Sequence, residues 1–155
     1  MKRKTTSFAA MLCLVFLMLS SACKKETTPY NHPFFHIMVD NQSAVDVLSN
    51  RKDVVNYNVY LSAELQFEPI DVTYEITVGN GLQEGRDFEF VTKGNKLTFP
   101  QGIFERPITI QWKDSPVDAT KDNRIIIKLI SNTKNYTMGL PGPDQLQRQL
   151  VITKK

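Results

Sequence analysis

Few side chains in this sequence could do chemistry, and their spacing narrows what that chemistry would be. The chain has two cysteines, Cys13 and Cys23, and two histidines, His32 and His36. The histidines stand four residues apart, the separation that sets two imidazoles on one face of a helix to hold a metal. Pro33 lies between them and would break such a helix, so they read as surface or edge histidines on extended chain. Asp87 and Glu89 share one face of a strand. Glycoside hydrolysis needs two carboxylates facing each other across a cleft, whereas a solvated strand face carries such a pair without any catalytic reason. The chain contains no Gly-x-Ser-x-Gly, no His-Glu-x-x-His and no phosphate-cradling glycine loop. No enzyme is expected. The aromatic residues offer binding chemistry instead, because sugars stack on exposed rings. Tyr30, Phe34, Phe35, Tyr60 and Tyr136 occupy positions whose parity or loop setting could leave a ring in solvent, although Phe34 and Phe35 would serve equally as packing on an edge strand.

The segments that carry these residues begin with one that is not part of the fold. Residues 1–22 have a basic start (Lys2, Arg3, Lys4), an apolar run from Phe8 to Leu19, and the small residues Ser20, Ser21 and Ala22. That is the pattern of a secretory signal peptide, too short for a membrane span of roughly 20 apolar residues. Cys23 follows at once and resembles the cysteine of a bacterial lipobox. The resemblance implies that its thiol is diacylated, that the chain is cut before it, and that the new amino terminus is acylated as well. Residues 23–33 then form a polar, proline-containing tether with no period. Lys24 is not the Asp that retains lipoproteins in the inner membrane under the proteobacterial sorting rule, so the outer membrane is the expected home.

Removing the leader changes the charge. The chain has 19 basic and 16 acidic residues, and without Lys2, Arg3 and Lys4 the two counts are equal. A neutral domain has no general electrostatic reason to bind nucleic acid. With Cys13 removed and Cys23 acylated, no disulfide or cysteine-based metal site is expected, and the fold must be stabilised by packing alone.

Residues 34–155 read as one all-β domain, an antiparallel immunoglobulin-like β-sandwich of about seven to nine strands. Ile70, Val72, Tyr74, Ile76 and Val78 alternate with Asp71, Thr73, Glu75 and Thr77, the cleanest such run in the chain. Val55, Tyr57, Val59 and Leu61 share a parity, as do Phe104, Ile108, Ile110 and Trp112. Stretch 86–112 reads as three strands separated by two turns, Lys93-Gly94-Asn95 and Pro100-Gln101-Gly102, with Phe88 and Phe90 on the apolar face and Asp87 and Glu89 on the wet one. Stretch 34–48 reads as an edge strand broken at 40–43. Ile125, Ile127 and Leu129 face one way and Ile126, Lys128 and Ile130 the other, and a strand apolar on both parities at its ends suits a central place. Ile76, Phe99, Ile110, Trp112 and Ile127 are expected in the core.

The order of these motifs resembles that of Calx-beta domains over about residues 54–153. The resemblance rests on Val72-Thr73-Tyr74-Glu75-Ile76, Gly85-Arg86-Asp87-Phe88, Leu97-Thr98-Phe99-Pro100-Gln101-Gly102, Ile108-Thr109-Ile110 and Ile125-Ile126-Ile127-Lys128-Leu129. It implies a possible calcium site at one end of the sandwich, with Asp87 and Asp114 where that family places acids and Asp118 and Asp122 near its paired glutamates. Thr153, Lys154 and Lys155 stand where the family's final acidic cluster would be, so calcium is not expected to be needed. With Cys23 and Lys24-Lys25-Glu26, the chain also resembles small sandwich lipoproteins of Bacteroidetes, many encoded beside glycan-uptake machinery. The expectation is a lipid-anchored, non-catalytic binding or adhesion module for glycan or protein. The alternatives are a structural accessory subunit docking through a sandwich edge on an outer-membrane complex, or a calcium-binding Calx-beta domain.

Overall fold

A computed structural model describes residues 31–155; the expected signal peptide, Cys23 and Tyr30 lie outside the described residues. Ten strands follow in chain order. They are β1 (Phe34–Ile37), β2 (Ala44–Val47), β3 (Val54–Ser62), β4 (Ile70–Val78), β5 (Phe88–Phe90), β6 (Lys96–Phe99), β7 (Glu105–Trp112), β8 (Arg124–Asn132), β9 (Thr137–Met138) and β10 (Gln149–Lys154). No helix occurs among the described residues. The strands form two five-stranded sheets, in the orders β5-β7-β3-β1-β9 and β2-β10-β8-β4-β6. The expected all-β sandwich is therefore the fold.

Every odd-numbered strand lies in the first sheet and every even-numbered one in the second, so each connection crosses the roughly 10 Å between sheets. This corrects two expectations. Stretch 86–112 is not a three-strand meander: β5 pairs with β7, while β6 pairs with β4 in the other sheet. Stretch 34–48 is not one broken edge strand. β1 lies inside the first sheet and β2 forms an edge of the second, paired parallel to β10. The switch is made at a tight turn in which Asp40 and Asn41 both have positive φ (49° and 63°) and Val39 and Gln42 exchange two backbone hydrogen bonds. Two consecutive positive φ values define a type I′ turn, which Asp and Asn tolerate.

The core lies between the sheets. Tyr57, Val59, Ile108, Ile110 and Trp112 from one side meet Ile70, Val72, Tyr74, Ile125, Ile127 and Ile152 from the other. The buried indole Nε1 of Trp112 donates to the Tyr57 hydroxyl at 3.0 Å, and the Tyr74 hydroxyl donates to the Gly94 carbonyl at 2.9 Å. Each large aromatic thus enters the core with its polar atom satisfied. Phe99, Ile110, Trp112 and Ile127 are buried as expected, and β8 is the middle strand of its sheet. Ile76 is only partly buried and Val78 is exposed, because β4 runs past the core toward its C-terminal end. Phe104 is exposed too, since β7 begins only at Glu105. A register shift opposite Thr73 and Tyr74 leaves Ile130 unpaired on β8. This bulge turns Asn132 inward, where its side-chain Oδ1 accepts from the amides of Lys134 and Tyr136 and closes the following turn.

The pairings also define the two ends of the sandwich. Phe34 is opposite both Ser62 and Thr137, Ile70 is opposite Phe99, and Tyr60 is opposite Glu105. Loops 63–69, 100–104 and 133–136 therefore share one end with the point at which the chain enters the fold. Loops 48–53, 79–87 and 113–123 share the other end with Lys155.

Candidate functional site

β1 alternates strictly, with Phe35 and Ile37 in the core, so Phe34 and His36 project from the outer face of the first sheet. Antiparallel pairing sets Tyr60 of β3 directly opposite His36. The His36 ring centre lies 5.3 Å from that of Phe34 and 5.4 Å from that of Tyr60. Three rings thus form a continuous half-buried patch. His36 Nδ1 donates to the Gln147 side-chain oxygen at 2.9 Å, which fixes the ring plane. Burial lowers the His36 pKa and the Gln147 bond only partly opposes this, so the imidazole is neutral at neutral pH and its other nitrogen is an acceptor. Beyond the rings, β3 and β7 present Asn58, Asn56, Thr109 and Gln111 on the same face. Thr109 donates its hydroxyl to Asn56 Oδ1 at 2.8 Å, and Gln111 donates to the Lys52 carbonyl at 2.7 Å. An aromatic patch continuing into amides and a hydroxyl matches the two faces of a sugar, its C–H side and its hydroxyls.

Of the five aromatic residues picked from the sequence, the structure brings Phe34 and Tyr60 together. Phe35 is fully buried with its ring 5.1 Å from that of Phe99, so it is a core residue and offers no stacking surface. Tyr136 is half-buried against the core, stacked on Phe35 at 6.3 Å and donating its hydroxyl to Gln66. Tyr30 lies outside the described residues. His36, set aside in the sequence, is the middle member of the patch. Its shared parity with Phe34 was the available signal. His32 lies apart from it, its Nε2 2.8 Å from the Thr137 hydroxyl.

The four acids of the possible calcium site do not converge. Asp114 pairs with Lys52, Asp118 caps Thr120, and Asp122 forks onto the Arg124 guanidinium. Among the described residues, no group of three or more His, Cys, Asp or Glu side chains is placed to hold a metal ion. Asp87 is not on a wet face either; it is completely buried. One carboxylate oxygen accepts from the Gln83 amide at 2.7 Å and from Arg86 at 2.6 and 2.9 Å, and the other accepts from the Ser115 hydroxyl at 2.5 Å. Burial alone would raise its pKa, but these hydrogen bonds together hold it below the usual carboxylate value. Its oxygens are thus already occupied by donors and do not suit a cation needing six to eight oxygens.

The missing partner is Lys154, also buried, which the sequence showed only as one of a C-terminal Lys pair. Its ammonium donates to Ser115 Oγ at 2.6 Å and to the Lys113 and Asp87 carbonyls at 2.8 and 3.2 Å, and lies 3.9 Å from Asp87 Oδ1. Burial lowers its pKa and the Asp87 charge counters this. Leu150, Ile152 and Lys154 share the inward parity of β10, and a lysine on an inward parity was the signal. Carboxylate, hydroxyl and amine are the ingredients of a nucleophile, yet the nearby hollow lined by Val117, Asp122, Asn123 and Lys154 includes neither Ser115 nor Asp87 in its wall. The cluster is geometrically an internal pin joining the 79–87 turn, the 113–123 loop and β10.

No protein-family model matches the chain, and no curated protein is significantly similar to it. What the fold and its geometry define is a class: a two-sheet all-β sandwich with an aromatic patch on one outer face and an ion pair sealed into one end.

Proposed function

We propose that the protein is a lipid-anchored, non-catalytic binding module of the bacterial cell envelope that holds glycan chains on the outer face of its first sheet. The observation that carries this reading is the Phe34, His36 and Tyr60 patch continuing into Asn58, Asn56, Thr109 and Gln111. The anchor is Cys23, with the outer membrane as its home, and the chain from it enters the sandwich at the edge of that patch. The Calx-beta-like motif order supports a sandwich of that lineage, used here without calcium. Docking through a sandwich edge is the less supported role, because the edge strands β5, β9, β2 and β6 have only two to four residues each.

Electrophoresis of the purified protein through gels containing individual polysaccharides tests the binding face. Retardation by at least one glycan is expected, and Tyr60→Ala or Phe34→Ala should weaken it by roughly tenfold with unchanged melting temperature. Binding that survives both substitutions would remove the patch from the reading. Labelled palmitate fed to cells expressing the full chain, beside Cys23→Ala, tests the anchor separately.

A further inference from the structure

The end of the sandwich where the chain enters is tipped with apolar side chains that the core does not use. Leu65 and Phe67 project from loop 63–69, and Ile103 and Phe104 from loop 100–104; all four are exposed, Phe67 by 73%. The two loops are adjacent. The Phe104 carbonyl accepts from the Leu61 amide at 2.8 Å, and a side-chain carbon at Gly102 would touch the Leu65 side chain at 3.9 Å. Apolar tips clustered in this way are unusual on a soluble monomer and mark an interaction surface. Charge at this end is nearly balanced. Loops 63–69 and 133–136 hold Glu64, Glu68 and Lys134, with Lys134 already paired with Glu68, and β7 opens beside Phe104 with exposed Glu105 and Arg106.

The opposite end is built differently. Its exposed apolar residues Leu48, Val54 and Val78 stand on separate segments, interspersed with Lys52, Asp53, Asp114, Asp118, Lys121, Asp122 and Arg124. Those charges are largely paired with one another.

We infer that Leu65, Phe67, Ile103 and Phe104 rest in the interfacial layer of the lipid bilayer to which the chain is anchored. The inference builds on the Cys23 anchor proposed above. What selects lipid over other occupants is where the outlying chain joins the fold. The Thr137 amide donates to the Pro33 carbonyl, and Phe34 pairs with Ser62, so residue 33 is fixed beside loop 63–69. From Cys23 to Pro33 there are ten residue steps, which at full extension reach roughly 33 to 36 Å. An acylated Cys23 limits how far this end can leave the bilayer, and a tip that would bind lipid weakly from solution binds it as a tethered group at high effective concentration. Aromatic and branched apolar side chains on near-neutral loops suit a zwitterionic interface, where burial rather than charge supplies the attraction. The sandwich would then stand on these loops, its ion-paired end directed away from the membrane.

The test uses the full mature protein, purified from membranes and reconstituted in phosphatidylcholine vesicles with and without brominated acyl chains. Phe67→Trp reports the entry end and Leu48→Trp the far end, both positions being exposed and outside the core; the fully buried Trp112 is a constant background. The expected result is bromolipid quenching of about half or more of the added fluorescence in Phe67→Trp and almost none in Leu48→Trp. Protein that floats with vesicles while both variants stay unquenched would overturn the inference and leave the anchor standing, as would a Phe67→Trp signal that shifts only with protein concentration, the mark of a second copy on the tips. Protein that does not float with vesicles would overturn both.

Discussion

The two ends of this sandwich solve the problem of closing a β fold in opposite ways. At the far end, polar groups are taken inside: Asp87 and Lys154 are sealed with Ser115, and every donor and acceptor of the three finds a partner. At the entry end, apolar groups are left outside on Leu65, Phe67, Ile103 and Phe104. Each arrangement costs stability in isolation, the first through desolvation of charge and the second through hydration of apolar surface. The Asp87, Ser115 and Lys154 cluster is satisfied within the chain, and under the inference drawn above the lipid bilayer satisfies the entry end.

The contrast can be broken by substitution, most strongly at the far end. Lys154→Met removes the ammonium and leaves Ser115 Oγ and the Lys113 and Asp87 backbone carbonyls short of a buried donor. A loss of about 3 to 5 kcal/mol in urea unfolding is expected. Combining it with Asp87→Asn should cost less than the two single changes added together, because both act on one hydrogen-bond network through Ser115; strict additivity would mean the pair is not coupled.

A steric test of the same end comes next. A side-chain carbon on Gly81 would lie 2.0 Å from the buried Oδ1 of Asn123, and one on Gly79 would lie 2.2 Å from the Asp122 carbonyl. Asn123 Oδ1 has no conventional hydrogen-bond partner, and the close approach of the Gly81 backbone is what its oxygen faces. Gly81→Ala should therefore cost about 1 to 3 kcal/mol by forcing the 113–123 loop outward. An unchanged urea midpoint would show that the loop gives way freely.

Titration sharpens the comparison further. Against the upward push of burial, hydrogen bonds from Arg86, Ser115 and the Gln83 amide hold the Asp87 carboxyl below the ordinary aspartate value of 3.8, so its stabilising contribution is complete above about pH 4 and is lost as pH falls through the folded value. The stability gap between wild type and Asp87→Asn should be widest near neutrality and narrow in acid. In the core, burial pushes the Tyr57 hydroxyl up to about 12, with the Trp112 bond only partly opposing. A raised pKa means stability is whole below the unfolded value near 10 and declines above it. The absorbance of tyrosinate should accordingly show one residue ionising last. Tyr57→Phe leaves the Trp112 indole without its acceptor and should cost about 1 to 3 kcal/mol.

The smallest effect is expected at the entry end. Phe67→Ser and Leu65→Ser should change unfolding free energy in detergent-free solution by no more than about 0.5 kcal/mol, because neither side chain is used by the core. A loss several times larger would make the tips structural and erase the contrast between the ends.

Much of the sandwich was legible in the residues themselves. Period-two alternation in β3, β4 and β7 and the nearly continuous apolar run of β8 are dictated by which side chains prefer water, a property each residue carries alone. The same rule placed Phe99, Ile110, Trp112 and Ile127 inside and put Phe34 and Tyr60 on faces able to bind. Alternation says which side of a strand is apolar but not which strand lies next to it. The crossing of every connection between sheets was therefore invisible, since Lys93-Gly94-Asn95 and Pro100-Gln101-Gly102 turn the chain equally well within a sheet or between two. His36 joined Phe34 and Tyr60 only through the register of β1 on β3.

The charged interior was hidden for a related reason. Asp87 looked wet because it precedes Phe88 by one residue, but it belongs to a turn, where strand parity has no meaning. Its partners Ser115 and Lys154 are 28 and 67 residues away, and a carboxylate is buried only when such distant donors arrive together. Local preference for water or for apolar surroundings is written residue by residue, so sequence alone determined the strands and the core they share. Meeting across the fold is a property of the packed whole, and that decided the aromatic patch, the sealed ion pair and the apolar tips beside the entering chain.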